Sequence, residues 1–366
     1  MKFLKFGFSI LFAIVIAVVG APAHEDSTGI SSAEYRRQRM KLSPNFESGH
    51  FVNEVPTSTL NLGELWLPLK DQVVPTRGSR PSEPLPSVAV DMAAFDTEAG
   101  LRVVWLGHST VLVRIDSVTI LFDPVFDEYT KHSMGSARRF QPSPLPREAL
   151  PRLDAVVISH DHFDHLEKGT VEYLAPRGVT FFVPLGVGAL LEEWGVPNSQ
   201  IVELDWWEST VIRSVRLVCT PARHFSGRNV SSINKTLWSS WALIGPAHRL
   251  FFGGDTGYFD RLKDIGKRYG PFDLTLIPIG AYDDAWPDVH LRPEEAVIVQ
   301  KVLNAKLLCP IHWGTFDLAA HRWREPIERL VEAASLEKID LVTPQLGEVV
   351  DPDNLESPKR WWEKIE

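Results

Sequence analysis

Hydrophobic and polar positions alternate in short blocks along most of the chain after residue 100. Apolar runs at 101–106, 110–115 and 118–122 are separated by Gly-His-Ser and Asp-Ser turns, and they predict a meander of buried strands. Later patterns predict helices, several opened by proline or an acidic residue, at 166–175, 188–194, 259–269, 293–303 and 325–334. This alternation predicts a layered α/β domain at 101–350, followed by a C-terminal tail at 351–366.

The first residues have the pattern of a targeting segment. Two lysines precede an apolar stretch at 6–19, and the small residues Ala21 and Ala23 match a cleavage site. We therefore expect a cleavable signal peptide at 1–23 and a periplasmic or secreted protein. The alternative is an inner-membrane anchor formed by residues 6–19, although this stretch is shorter than the roughly 20 residues that a membrane-spanning helix needs.

The segment at 24–100 is rich in proline, serine and charge, so we expect an N-terminal extension that packs on the domain. Its basic cluster at 36–41 predicts a solvated helix face. The 366-residue chain has a formal net charge of −9, which disfavours a nucleic-acid-binding protein. Cys219 and Cys309 are the only cysteines, and both lie inside apolar strand patterns, which favours free buried thiols over a disulfide.

The most specific chemical pattern follows the apolar run at 154–159. The next residues include three histidines and two aspartates, namely His160, Asp161, His162, Asp164 and His165. A strand end followed by a tight loop can direct several imidazoles to one point. Imidazole and carboxylate together suit zinc or iron-class ions and do not decide between them. The alternative is a solvated His/Asp-rich turn, which this spacing after a buried strand disfavours.

Three later strand patterns end in the same residue types. His224 follows an apolar run that begins at Leu217, and His312 follows one that begins at Leu307. Asp255 follows a third run, after two glycines that allow close backbone approach. Each residue alone would more often be a turn residue or a buried histidine with satisfied hydrogen bonds. As an ordered set after the first loop, they predict the remaining ligands of a two-metal site.

This order resembles the metallo-β-lactamase superfamily and, within it, the N-acylphosphatidylethanolamine-hydrolysing phospholipase D family. The resemblance extends from about residue 51 to about residue 350 and is densest after residue 101. Beyond the metal motifs it includes the segments at 105–110, 122–124, 139–140, 203–208, 235–241, 254–258, 265–273, 277–282, 293–296 and 311–316. The resemblance implies an αββα sandwich, in which loops at one edge of two sheets supply the metal ligands.

The resemblance also implies a ligand set for two zinc ions, with other divalent metals left open. The first ion would be held by His160, His162 and His224. The second would be held by Asp164, His165 and His312, with Asp255 bridging both ions. A bridging aspartate offsets the repulsion between two cations, and neutral imidazoles leave enough positive charge to attract an anionic phosphodiester.

Other roles follow from the same resemblance. Asp164 and Asp255 would serve catalysis as well as metal binding, and His290 would contact the phosphate beside the metals. Asp123 would support the ligand loop without binding metal. The sequence departs from the animal enzymes of this family at Val289, where they have a glutamine that touches the substrate. The residues of the metal centre therefore match the family more closely than those of the substrate pocket do.

The activity that the resemblance implies is phospholipase D-type hydrolysis of N-acylphosphatidylethanolamine-like lipids to phosphatidic acid and N-acylethanolamine-like head groups. A dizinc hydrolase of lactones or carboxylic esters would have the same ligand pattern, and the His290 segment disfavours it. A non-catalytic binding protein is a third class, which the intact ligand set disfavours. The expected partners are a phospholipid or another anionic phosphodiester and, through those tryptophans that the core does not need, the surface of a membrane. The sequence leaves open whether the protein is a homodimer.

Overall fold

A computed structural model of the protein describes residues 30–59, 76–97, 99–132, 135–355 and 358–365. The expected signal peptide at 1–23 lies outside the described residues. Two seven-stranded sheets form the body of the described chain. Two small two-stranded sheets accompany them, formed by β1 (Phe46–Glu47) with β2 (His50–Phe51) and by β6 (Tyr129–His132) with β7 (Gly135–Arg138).

The first large sheet contains the predicted meander. Its strands are β3 (Leu101–Gly107), β4 (Thr110–Ile115), β5 (Val118–Phe122), β8 (Ala155–Val157), β9 (Thr180–Pro184), β10 (Ile201–Leu204) and β18 (Val349–Val350). They lie in the order β10-β9-β8-β5-β4-β3-β18. Strands β3, β4 and β5 pair antiparallel, whereas β5, β8, β9 and β10 run parallel to their neighbours. The predicted bounds of β4 and β5 are confirmed, and β3 extends one residue further, to Gly107.

The second large sheet carries most of the later ligand loops. Its strands are β11 (Ser209–Ile212), β12 (Val215–Thr220), β13 (Ser240–Ile244), β14 (Arg249–Phe252), β15 (Phe272–Pro278), β16 (Ala305–Ile311) and β17 (Asp340–Leu341), in that order across the sheet. Strands β11 to β14 pair antiparallel, and β14 to β17 pair parallel. Because β14, β15 and β16 are parallel neighbours, the loops that follow them leave the sheet at the same edge.

All five predicted helices are present, with shifted ends. The α-helices described are Ser32–Leu42, Met92–Phe95, Lys168–Leu174, Gly188–Glu193, Arg261–Tyr269, Pro293–Val302 and Glu325–Glu337. The helix predicted from residue 166 begins later because the backbone N–H groups of His165 and Leu166 both donate to the carbonyl of His162. That turn belongs to the candidate ligand loop. The last helix continues past residue 334 to Glu337.

The main hydrophobic core lies between the two sheets, where Phe122 of β5 stacks on Phe252 of β14 with ring centroids 4.5 Å apart. A second core packs helices Lys168–Leu174 and Gly188–Glu193 against the first sheet. Three later helices cover the second sheet with their buried faces, namely Arg261–Tyr269, Pro293–Val302 and Glu325–Glu337. Helices therefore lie outside both sheets, and the predicted αββα sandwich is confirmed.

The last described residues pack on this sandwich. Trp361 and Trp362 are buried, and Trp361 stacks on Trp313 at 5.4 Å between ring centroids.

Cys219 and Cys309 are buried free thiols, as the sequence predicts. Among the residues described, no helix has both the length and the apolar character needed to cross a membrane.

The basic cluster at 36–41 lies in the helix Ser32–Leu42, and the prediction of a wholly solvated face is wrong at Arg36. Its guanidinium is buried and pairs with Glu203 at 2.5 Å and with Glu192 at 3.0 Å. The difference has a physical cause. A buried cation is tolerated when carboxylates from elsewhere in the fold offset its desolvation, and local sequence does not reveal those partners.

Candidate metal centre

The residues predicted as ligands follow the ends of four strands and come together in space. His160, His162, Asp164 and His165 follow β8, His224 follows β12, Asp255 follows β14, and His312 follows β16. Gly254 enables the close approach of one loop to another. Its φ is +56°, and a Cβ there would lie only 2.7 Å from the Cβ of Ser159 and 2.8 Å from the carbonyl oxygen of Ser239. A side chain at this position would therefore clash.

The ligand atoms of a first group, His160, His162 and His224, all lie within 4.8 Å of one another. Nε2 of His160 is 2.8 Å from Nδ1 of His162, and Nε2 of His224 is 3.3 Å from that same nitrogen. Two of the rings are oriented by contacts at their other nitrogen. Nδ1 of His160 is 2.9 Å from the hydroxyl of Ser159, and Nδ1–H of His224 donates to the carbonyl of Val289 at 2.9 Å.

A second group contains Asp164, His165 and His312, together with His108, and its ligand atoms also lie within 4.8 Å of one another. Oδ2 of Asp164 is 3.6 Å from Nε2 of His165 and 3.8 Å from Nε2 of His312. Nδ1–H of His165 donates to Asp123 at 2.7 Å. This contact leaves Nε2 of His165 free to face the rest of the group.

Asp255 lies between the two groups. Its Oδ2 is 3.2 Å from Nε2 of His165, 3.7 Å from Nε2 of His224 and 4.0 Å from Nε2 of His160. Its Oδ1 is 3.0 Å from Nε2 of His312. One carboxylate therefore faces nitrogens of both groups, which is the position that a bridging ligand needs.

The polar atoms of this cluster fit a bound cation. Nε2 of His165, Nε2 of His312 and Oδ1 of Asp255 are buried, and although Nε2 of His312 lies 3.0 Å from Oδ1 of Asp255, the orientation of these atoms gives none of them a hydrogen bond within the described chain. Buried polar atoms are almost always satisfied, so several unsatisfied atoms facing one point indicate a missing partner. Imidazole nitrogens and carboxylate oxygens are donors that zinc and related divalent ions accept. The residues therefore could hold metal ions.

The protonation states of His162 and His224 suit a metal, whereas His312 would lose a proton on metal binding. Burial lowers the pKa of His162 to about 4 and that of His224 to about 3, so both imidazoles are neutral and can coordinate a cation. Burial opposes ionisation of Asp255, but the adjacent His165 and His312 hold its pKa well below the usual range. Burial acts in the same unfavourable sense on His312, and Asp255 nonetheless raises the pKa of His312 to about 9.

Asp123 holds the ligand loop by hydrogen bonds to Ser159 and His165. Its carboxylate accepts hydrogen bonds from the backbone N–H of Ser159 at 2.7 Å and from the Ser159 hydroxyl at 2.6 Å, in addition to that from His165. Asp123 and His312 have φ values of +37° and +64°, which non-glycine residues rarely adopt. Such strain persists where surrounding contacts enforce it, and it is concentrated at functional sites.

His290 lies beside the cluster in the loop before the helix Pro293–Val302, where the sequence predicted it. Its Nδ1 is 3.9 Å from Oδ2 of Asp255, and its ring centroid is 5.1 Å from that of His224. The side chain is 12% exposed, in contrast to the fully buried ligand rings of His165, His224 and His312. His290 is therefore placed to meet a molecule that approaches the cluster from solvent.

Comparison with known proteins identifies the family. The sequence profile of the beta-lactamase superfamily domain matches residues 118–313. The chain belongs to the metallo-β-lactamase superfamily. An uncharacterized protein of Mycobacterium tuberculosis is 46% identical to it over 353 residues, which cover 94% of this chain and 93% of the relative.

An N-acyl-phosphatidylethanolamine-hydrolyzing phospholipase D of Caenorhabditis elegans is 38% identical over 273 residues, which cover 70% of this chain and 77% of the worm protein. The solved structure of Igni18, a metallo hydrolase from Ignicoccus hospitalis, shares the fold with a TM-score of 0.53 and 23% identity, over 68% of this chain and 97% of that one. The family predicted from the sequence is confirmed. This metallo-β-lactamase-fold protein is accordingly a metal-dependent hydrolase.

The sequence of this superfamily member did not predict the contact between His108 and Asp164. The residue lies in the turn between β3 and β4 with φ +54°, and its Nε2 is 2.9 Å from Oδ2 of Asp164. Its carbonyl accepts the backbone N–H of His312 at 2.9 Å. The Gly-His-Ser turn marked the end of a strand, but the pairing with Asp164 depends on chain segments that are far apart in sequence.

The side chain of Val289 is fully buried, whereas its carbonyl accepts the hydrogen bond from His224. The position at which the animal enzymes have a substrate-touching glutamine is thus occupied here by a residue that supports a candidate ligand through its backbone. This difference concerns the substrate pocket of the superfamily member and leaves the candidate metal ligands unaffected.

Proposed function

We propose that the protein is a dizinc phosphodiesterase of phospholipase D type, acting on N-acylphosphatidylethanolamine-like lipids. The observation that carries the proposal is the position of His290, a partly exposed histidine beside Asp255 and His224, in a chain related to the worm phospholipase D. Hydrolysis of an anionic phosphodiester at a cationic centre is accelerated by a hydrogen-bond donor near the phosphate oxygens.

In this proposal, one zinc ion would be held by His160, His162 and His224, and the second by Asp164, His165 and His312, with Asp255 contributing to both sites. Two divalent cations, when bound, would supply an activated water and neutralise charge on the oxygens of the displacement. Water adds to phosphorus, and the bond from phosphorus to the N-acylethanolamine oxygen breaks. The products are phosphatidic acid and an N-acylethanolamine whose oxygen takes up a proton.

The chain's own residues prepare this reaction. The neutral rings of His162 and His224 leave the centre with net positive charge that attracts the phosphodiester. Burial holds the pKa of His290 well below its ordinary value, even though Asp255 acts in the opposite sense. A neutral His290 has one ring N–H, which can donate to a phosphate oxygen while the other nitrogen accepts.

We also propose that the protein contacts a membrane surface and reaches it by export. Val230 is 89% exposed and Ile233 is 48% exposed, and both lie in the loop that follows His224. Apolar side chains exposed in this loop can enter the interface where the lipid substrate resides.

Export would follow from the signal peptide expected at 1–23. N-terminal sequencing of protein from the native host tests it. A mature chain beginning near His24 is expected, and retention of Met1 in a soluble cytosolic fraction would contradict it.

The decisive experiment compares substrate classes with one preparation. Purified protein is incubated with N-acylphosphatidylethanolamine in mixed micelles and, separately, with lactone and carboxylic-ester panels, and its metal content is measured by elemental analysis. We expect about two zinc-class ions per chain and release of phosphatidic acid that a chelator abolishes and zinc restores. Turnover of lactones or esters without turnover of any phosphodiester would refute the lipid assignment and favour the other hydrolase class.

A further inference from the structure

A segment far from the superfamily domain in sequence crosses the candidate metal centre. Residues 51–58, which we call the N-terminal strap, begin with the last residue of β2 and contact the loops that carry His224 and His290. The superfamily profile matches residues 118–313, and the strap lies outside both this range and the two large sheets. It therefore contacts the centre from outside the αββα sandwich.

Asn53 makes the most specific contact of the strap. Its amide Nδ2 donates to the carbonyl of His224 at 2.7 Å, and its Oδ1 accepts the backbone N–H of His224 at 3.2 Å. The side-chain amide thus satisfies both main-chain groups of a candidate ligand, as a neighbouring strand would. Buried backbone groups left without such partners cost free energy, so this pairing favours one backbone position for His224.

The strap also ties the loop of His224 to the loop of His290. The guanidinium of Arg223 donates to the carbonyl of Pro56 at 2.7 Å and forms an ion pair with Asp288 at 2.9 Å. The backbone N–H of Ser58 donates to the same Asp288 carboxylate at 2.8 Å. Asp288 stands two residues before His290, so the strap joins a candidate ligand loop to the loop that faces the substrate.

The strap is itself anchored at its start. The backbone N–H of Phe51 donates to the carbonyl of Asn234 at 2.8 Å, and the Phe51 ring is buried against Phe46 at 4.9 Å between centroids. Upstream, Arg36 in the helix Ser32–Leu42 forms its buried pair with Glu203. These contacts fix the strap to the domain at points away from the metal centre.

We propose that Asn53 is a positioning residue of the metal centre, which sets the backbone of His224 and through it the affinity of the first metal site. The inference rests on the proposed dizinc centre. Asn53 fixes the main chain of His224, and the Val289 carbonyl fixes its ring, so Nε2 is held toward Asp255 before any cation binds. A prearranged ligand binds metal more tightly because no ordering is needed on binding.

The test measures metal retention in Asn53→Ala. A competing chelator is added to the zinc-loaded full chain, and release of each metal equivalent is followed alongside the melting temperatures of the loaded and stripped protein. We expect one equivalent to leave about 10- to 100-fold faster than in the wild type, the range typical for loss of a partner that orients a metal ligand. The gain in melting temperature on metal binding should shrink accordingly.

Two matched variants serve as controls. Glu54→Ala changes the next strap residue, which pairs with the surface residue Arg261 at 2.8 Å, and Asn198→Ala makes the same substitution at an exposed site. Both should release metal as the wild type does. If Asn53→Ala does not fold, Asn53→Asp keeps the side-chain size and the acceptor but loses the donor to His224, and it should also accelerate the release of one equivalent.

The outcomes separate this inference from the proposed function. A wild-type chain that binds no metal would refute the dizinc centre itself. A wild type with two ions and an Asn53→Ala variant with unchanged release would refute only the role of Asn53. Equal losses of melting temperature in the loaded and stripped variant, with unchanged release, would mean that the strap merely stabilises the fold, which also contradicts the proposal.

Discussion

The two halves of the candidate metal centre are supported in different ways. The second group, with His165 and His312, is held by Asp123 and His108, which lie at the ends of β5 and β3 inside the sandwich. In the first group, the ring of His160 is contacted by the Ser159 hydroxyl, which Asp123 also holds, whereas His224 is held by Asn53 of the strap, outside the two large sheets. We infer that the second half depends on the sandwich itself, whereas the first depends in addition on the strap.

Removal of the shared carboxylate of Asp255 should weaken both metal sites at once. In Asp255→Ala, both groups lose the oxygen that lies within 4.0 Å of their nitrogens. We therefore expect loss of both metal equivalents by elemental analysis and activity near background. An Asp255→Ala protein that keeps one tightly bound ion would show that the carboxylate serves one site only.

Substitution of a single ligand should weaken one metal site more than the other. His224→Ala should remove or weaken mainly the first metal equivalent, and His312→Ala mainly the second, because His224 clusters with His160 and His162, whereas His312 clusters with Asp164 and His165. Metal content and chelator-release kinetics of the two purified variants check this. If His312→Ala kept a full complement of metal, the assignment of the second group would be wrong.

A change at His290 should affect turnover without affecting either half. His290→Ala is expected to lower kcat toward a phosphodiester by about a hundredfold or more, because one donor to the transition state is lost. Both metals should remain bound, since His290 is not needed to complete either group. Metal content, kcat and melting temperature measured on the same preparation decide the matter. Full activity of a metal-loaded variant would remove the main argument for phosphodiester chemistry.

The contrast between the halves also explains what the sequence could predict. Strand patterns and the residues after them located all seven candidate ligands, because a strand end and its loop are adjacent in the chain. The same reasoning placed the meander of β3, β4 and β5 in a layered α/β domain, because these features depend on local periodicity. The αββα order of the layers came from the resemblance to the superfamily.

The supporting contacts depend instead on residues distant in sequence, and the sequence did not predict them. Asn53 is separated from His224 by 171 positions and His108 from Asp164 by 56. The burial of Arg36 likewise depends on Glu203, 167 positions away. No local pattern distinguishes these residues from surface or turn residues, because their partners are determined only by the folded chain.

The smallest expected effect concerns His108, and it tests whether the second half is as dependent on support as the first. His108→Ala removes the imidazole that lies 2.9 Å from Oδ2 of Asp164, so the carboxylate gains freedom to rotate away from His165 and His312. Asp123 still holds His165, so we expect release of the second equivalent to accelerate by only about tenfold, at the lower end of the range for such partners. His108→Asn, which retains a side-chain amide donor, should recover part of the retention. Selective loss of the first metal ion instead would contradict the assignment of His108 to the second site. Among the described residues, His108 clusters with Asp164, His165 and His312 and not with the first group.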